Sequence, residues 1–185
     1  MIRLTTPLDE KTVMSLHAGN HVLLSGTVYT ARDAAHLRMM ECIRKGEPMP
    51  LPLEGSVIYY AGPTPTPEGK PVGSIGPTTS TRMDASTPTL LSLGLKGMIG
   101  KGMRAQAVMD AMVENKAVYF AAVGGAAALM AQCVTACEVI AWDDLGPESV
   151  KRLELKDLPL VVAADAYGQD AFVLGQQAYL DTLQK

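Results

Sequence analysis

From Thr87 to Asp165 the chain alternates short apolar runs with stretches of helical composition, and this alternation limits the fold more than any other feature. A helix is read over residues 87–93, a short strand over 97–99 and a helix over 104–114. A buried strand follows over 117–123, then a Gly124-Gly125 turn and a helix over 126–134. Strands at 138–142 and 158–165 complete the series. Strands alternating with helices make an α/β domain with a partly parallel sheet, because parallel neighbours need a crossover between them.

The first half is richer in strand and loop. A strand over 21–29 runs into a helix from about Ala31 to Arg44, with Thr30 as its N-cap and Gly46 and Pro48 as its stop. A second strand spans 56–61. Residues 62–80 are dense in Gly, Pro and Thr and read as a long ordered loop or a set of short strands. Loops of that length in compact domains are functional or disordered.

A chain of 185 residues fits one domain, taken as residues 1–185, with room for a sizeable core. Its 48% hydrophobic and 19% charged content speaks against disorder, and a net charge of −3 against a nucleic-acid partner. No apolar run reaches the roughly 18 residues of a membrane span, and Met1–Pro7 lacks the apolar core of a signal peptide. A cytoplasmic protein is expected. An odd set of three cysteines fits a reducing compartment.

Polar chemistry concentrates in Gly76-Pro77-Thr78-Thr79-Ser80-Thr81-Arg82-Met83-Asp84 and in Ile99-Gly100-Lys101-Gly102. Hydroxyls, an arginine and a lysine among glycines suit a small oxidised anion such as a dicarboxylate. Arg82 and Lys101 each sit at a glycine-bearing turn by a strand end, where α/β sheets bind ligands. Arginine offers a planar fork and lysine a point charge, so the pair can clamp two carboxylates. A nucleotide loop is excluded: the Walker pattern needs Gly where Leu95 stands and Ser or Thr where Gly102 stands. Gly124-Gly125 reads as an anion-binding or a merely tight turn. Arg32, Asp33 and His36 share a helix start, with Arg32 and His36 one turn apart. Cys133 and Cys137 read as buried structural thiols one turn apart on an apolar helix, with Cys42 distant.

Together these residues resemble the β subunit, equivalent to the C-terminal domain, of the iron–sulfur class I fumarate hydratase and L-tartrate dehydratase family. The resemblance covers nearly the whole chain: Leu4-Thr5-Thr6-Pro7, Gly26-Thr27, Ala31-Arg32-Asp33-Ala34-Ala35-His36, Tyr60-Ala61-Gly62-Pro63, the Gly76–Asp84 segment, Ile99–Gly102 and Gly124-Gly125. The Gly-Pro-Thr-Thr-x-x-Arg-Met-Asp order is its specific element. It implies a swivelling β/β/α domain with a mixed sheet and flanking helices. It also implies a [4Fe-4S] cluster held by three cysteines of an α subunit, with no metal on this chain, and an active site between the two.

By the same resemblance Arg32 and Arg82 bind the carboxylates of a C4 dicarboxylate, Lys101 adds positive charge and Thr78 transfers the proton. Asp33, His36 and Asp84 support those residues. The implied reaction is reversible hydration of fumarate to malate. Tartrate dehydration and a non-catalytic binding or assembly role are the alternatives. Many members have Gly-Arg-Met-Asp-Ser-Tyr, whereas Thr81 precedes Arg82 here and Ala85-Ser86 follow Asp84. Those changes, and Met103-Arg104-Ala105 in place of a polar continuation, bear on which dicarboxylate fits. The apolar content also leaves surface enough for self-association.

Overall fold

In the computed structural model, which describes residues 1–183, seven strands form one sheet. They are β1 (Ile2–Thr5), β2 (His21–Thr30), β3 (Val57–Tyr59), β4 (Gly97–Gly100), β5 (Val118–Ala121), β6 (Val134–Ala141) and β7 (Val150–Ala164). The helices are α1 (Glu10–Met14), α2 (Asp33–Lys45), α3 (Thr87–Ser92), α4 (Gln106–Asn115), α5 (Ala127–Ala131) and α6 (Ala171–Leu183). β1 to β5 run parallel, and β7 pairs antiparallel with β2, β5 and β6. Because β7 joins β5 back to β2, those strands close on themselves. The fold is α/β with a mixed sheet and flanking helices, as the sequence led us to expect.

Side chains that alternate along each strand feed two cores on opposite faces. Val57 and Tyr59 of β3 pack with Val13, Val118, Phe120 and Met130, beside α1 and α5. Ile58 and Tyr60 pack with Met39, Leu90, Met98 and Met112, beneath α2, α3 and α4. With both faces buried, β3 is a rigid platform for whatever its C-terminal end carries. Gly26 marks a register shift in β2 at φ +98°, where a Cβ would lie 2.5 Å from Thr6 Oγ1. Among the described residues no helix is long and apolar enough to cross a membrane.

Several elements differ from the sequence reading. β7 begins at Val150, well before residue 158, and its ladder with Val134–Ala141 makes β6 a strand from its first residue. The helix read over 126–134 therefore shrinks to α5, and Cys133 and Cys137 do not share a helix. Val134, read as the last helical residue, instead pairs with Leu155 of β7. Thr30 is not the N-cap of α2: its buried Oγ1 accepts the Lys151 N–H at 3.1 Å, and Arg32 takes the cap position. Arg104 precedes α4 instead of starting it. β1, α1 and α6 carried no sequence signal strong enough to read. The 62–80 stretch is an irregular loop with a turn at Glu68-Gly69 and no strand of its own, and bridges pair Ala61 with Pro77 and Thr79 with Lys101.

Candidate active site

The parallel strands β2, β3 and β4 end on one side of the sheet, the usual place for ligands in such folds. Residues 76–80 lie across those ends. Thr78 N–H donates to the Tyr60 carbonyl at 2.7 Å, and Lys101 N–H donates to the Thr78 carbonyl at 3.2 Å. Ser80 N–H then donates to the Lys101 carbonyl at 3.0 Å, so this segment stitches β3 to β4. Gly100 permits the approach, because a Cβ there would sit 1.9 Å from Ser80 Oγ.

The side chains above this backbone form a connected row. Arg82 Nη1 donates to Thr78 Oγ1 at 3.4 Å, and Arg82 Nε donates to Asp33 Oδ1 at 2.7 Å. The other Asp33 oxygen accepts from Arg32 Nε at 3.0 Å. One carboxylate thus orients two guanidinium groups. Burial alone would raise the Asp33 pKa, but the Arg32 hydrogen bond, a backbone hydrogen bond and the Arg82 charge outweigh it and hold it below the ordinary value. Lys101 is exposed, and its stem leans towards the Gly124 turn, where a Cβ would lie 3.9 Å from Lys101 Cδ. Among the described residues no carboxylate pairs with Lys101. A cleft of about 240 Å³ opens beside the row, lined by Asp33, His36, Leu37, Met40, Arg82, Ala85 and Ser86.

Thr78, Arg82, Asp33 and Arg32 are therefore together, with Lys101 adjoining through the backbone. Asp84 and His36 lie behind the row and touch other partners. Asp84 accepts from Arg104 Nε at 2.7 Å and from the Ala105 N–H at 2.8 Å. Arg104 is the residue that sequence reasoning missed. Its fully buried side chain lies 5.3 Å from the Tyr60 ring and 5.0 Å from the Tyr119 ring, and it donates to Thr87 Oγ1 at 2.9 Å. It bolts down the short 3-10 turn, Ser80–Met83, that carries Arg82. Glu148 was also missed. Its Oε2 accepts the Ala34 N–H at 2.7 Å and its Oε1 lies 3.5 Å from Arg32 Nε.

His36 does not back Arg32, because Arg32 is an extended cap residue outside the helix while His36 points into the core. Ser86 Oγ spends its single hydrogen on the Met83 carbonyl, which assigns His36 Nδ1 as the donor to Ser86 Oγ at 2.7 Å. His36 Nε2 is then unprotonated and has no partner. Burial, aided by the Arg104 charge, pushes the His36 pKa down to about 3. The unfolded chain takes up this proton near pH 6.5 while the folded chain refuses it. Stability is thus full above that pH and falls as the pH drops towards 3, by about 2 kcal/mol at pH 5. Thermal unfolding between pH 7 and pH 5 checks this: His36→Asn is expected to lose that part of the decline, and an unchanged slope contradicts it.

The cysteines do not fit a cluster. Cys42 lies on α2, Cys133 in the turn before β6 and Cys137 on β6. All are partly buried, and burial raises the Cys133 and Cys137 pKa values, against the thiolate a metal needs. Among the described residues no three His, Cys, Asp or Glu side chains are grouped to hold a metal ion.

Comparison with known proteins places the chain as a whole among relatives. Residues 1–175 match the family model described as the fumarase C-terminus. The chain is 40% identical to the anaerobic class I fumarate hydratase of Escherichia coli, over 80% of this chain and 28% of that protein. It is 36% identical to fumarate hydratase 2 of Leishmania major, over 92% of this chain and 31% of that protein. It therefore spans roughly a third of the curated fumarate hydratases it matches. A candidate L(+)-tartrate dehydratase subunit beta of Methanocaldococcus jannaschii is 37% identical over 89% of this chain and 88% of its own length.

Proposed function

The chain belongs to the family of the fumarase C-terminus, and from that premise we propose that it is the β-type part of a hydro-lyase. The reaction is reversible addition of water to the double bond of fumarate, giving malate. This domain works with an α-type partner that carries a [4Fe-4S] cluster, consistent with cysteines here that do not suit one. We place the assembly in the cytoplasm. The observation that carries the reading is the row Thr78–Arg82–Asp33–Arg32 at the strand ends, with Lys101 beside it.

The chemistry assigned to this chain follows from that row. Arg32 and Arg82 each take a substrate carboxylate, while Asp33 fixes their planes without consuming the outer guanidinium edges. In dehydration a proton leaves the carbon next to a carboxylate, and charge spreads onto that carboxylate. Cations already in place stabilise this state more than the ground state. The neighbouring carbon then loses its hydroxyl as hydroxide, a departure that the partner's cluster would assist as a Lewis acid, and the proton and hydroxide make the water released. Thr78 Oγ takes that proton, and in hydration returns it to the same carbon. A free hydroxyl is too weak an acid to form the base, but the Arg82 hydrogen bond favours its alkoxide, and Lys101 adds charge nearby.

Tartrate dehydration is the second reading. It is favoured by the tartrate-type relative matched over most of its own length and by Ala85, whose small side chain opens the cleft beside Arg82. Anaerobic co-expression with a cluster-bearing partner, followed by a panel of 2-hydroxy dicarboxylates, tests both. We expect the chain alone to be colourless and inactive, and the complex to turn over fumarate and malate with the highest kcat/KM. Preference for tartrate would select the second reading, and no turnover of any dicarboxylate would defeat both.

A further inference from the structure

Two carboxylates meet Arg32 at its Nε edge. Its Nε–H donates to Asp33 Oδ2 at 3.0 Å, and Glu148 Oε1 forms an ion pair with Nε at 3.5 Å. The other Glu148 oxygen accepts the Ala34 N–H at 2.7 Å, which anchors the carboxylate to the start of α2. Gly62 lies close to both the Arg32 stem and the 146–149 segment: a Cβ there would lie 3.4 Å from Arg32 Cδ and 2.9 Å from the Pro147 carbonyl. That segment is itself clamped. Lys151 Nζ donates to the Gly146 carbonyl at 2.9 Å and to Ser149 Oγ at 2.5 Å. Gly146 adopts φ 56°, ψ −118°, a conformation open to glycine, and Arg38 ties Asp144 to α2 with two hydrogen bonds.

We infer that Glu148 is a positioning residue for Arg32, aiming its guanidinium at a substrate carboxylate from a loop that Lys151 holds rigid. The inference rests on the reading of Arg32 as a carboxylate ligand. Two physical effects of removing the Glu148 charge have opposite signs, which makes the role measurable. Lost alignment weakens dicarboxylate binding, whereas lost anionic charge alone would strengthen it.

Glu148→Gln separates these effects from helix capping. Its single amide oxygen can still accept the Ala34 N–H, which leaves the NH2 facing Arg32 Nε, donor against donor. In the complex with the cluster-bearing partner we expect KM for the dicarboxylate to rise about tenfold, with kcat within about twofold and little change in Tm. In an Arg32→Lys background, which lacks the Nε–H fork, the same substitution should not raise KM, because only the loss of negative charge remains. A KM that stays constant or falls, or an equal rise in the Arg32→Lys background, overturns the inference. A second readout needs no turnover: in the chain alone the Arg32 Nε–H resonance should shift in Glu148→Gln, and an unmoved resonance contradicts the grip. An inactive wild-type complex would instead defeat the functional reading.

Discussion

Replacing Thr78 by Ala in the assembled complex should lower kcat about a thousandfold while KM changes little, since general acid–base groups contribute roughly 10²–10⁴ in rate. The hydroxyl is the group to which proton exchange is assigned, Asp33 having both oxygens bonded to arginines, and its removal deletes none of the Arg32–Asp33–Arg82 contacts. Thr78→Ser keeps the hydroxyl and should recover much of the loss. Steady-state kinetics on the three proteins decides the matter. If Thr78→Ala turns over normally, the non-catalytic binding or assembly role becomes the better account of this chain.

The second large effect concerns stability. Arg104→Met should cost about 3–5 kcal/mol, which for a chain of this size is a fall in Tm of about 10 °C. The substitution fills the space but strands Asp84, whose carboxylate is largely buried. It also empties the cation site between the Tyr60 and Tyr119 rings. Adding Asp84→Asn removes the unpaired charge and should return part of the loss, because breaking one side of a buried pair costs more than replacing both. Calorimetry on the two variants and the parent tests this. A Tm within about 2 °C of the parent for Arg104→Met would show that the network holds nothing.

The strands and helices that sequence reading found are those with local signals. β2, β3, β4 and β5 are apolar runs bounded by Gly, Pro or polar residues, and α2 ends where Gly46 adopts φ 69°. β7 was half hidden because Lys151, Arg152, Glu154, Lys156 and Asp157 gave its first part the look of a solvated segment. Its apolar residues Leu153, Leu155, Leu158 and Leu160 are nevertheless buried, and their spacing was the available clue. β6 was read only in its second half, over 138–142, and its first half shows itself through the pairing with β7. The GPTTSTRMD segment stood out in the sequence by its residue types, and the structure brings its Thr78 and Arg82 within hydrogen-bond distance.

What supports that segment was not legible, because the contacts are distant in sequence. Asp33 reaches Arg82 across 49 positions and Glu148 reaches Ala34 across 114. Arg104 sits 20 positions from Asp84, in a stretch whose composition suggested only the start of a helix. His36 illustrates the converse. Its spacing from Arg32 suggested a shared face, but the helix begins after Arg32, so the two side chains part company.

Fumarate hydration in deuterated buffer, followed by NMR on the anaerobically reconstituted complex, tests the central claim most directly. The proposed chemistry predicts malate carrying a single solvent deuterium on the carbon next to the one bearing the hydroxyl. The label should be lost with the activity when Ala replaces Thr78, and no product should form with the chain alone. A wild-type complex with its cluster intact that neither hydrates fumarate nor dehydrates malate or tartrate would contradict the account.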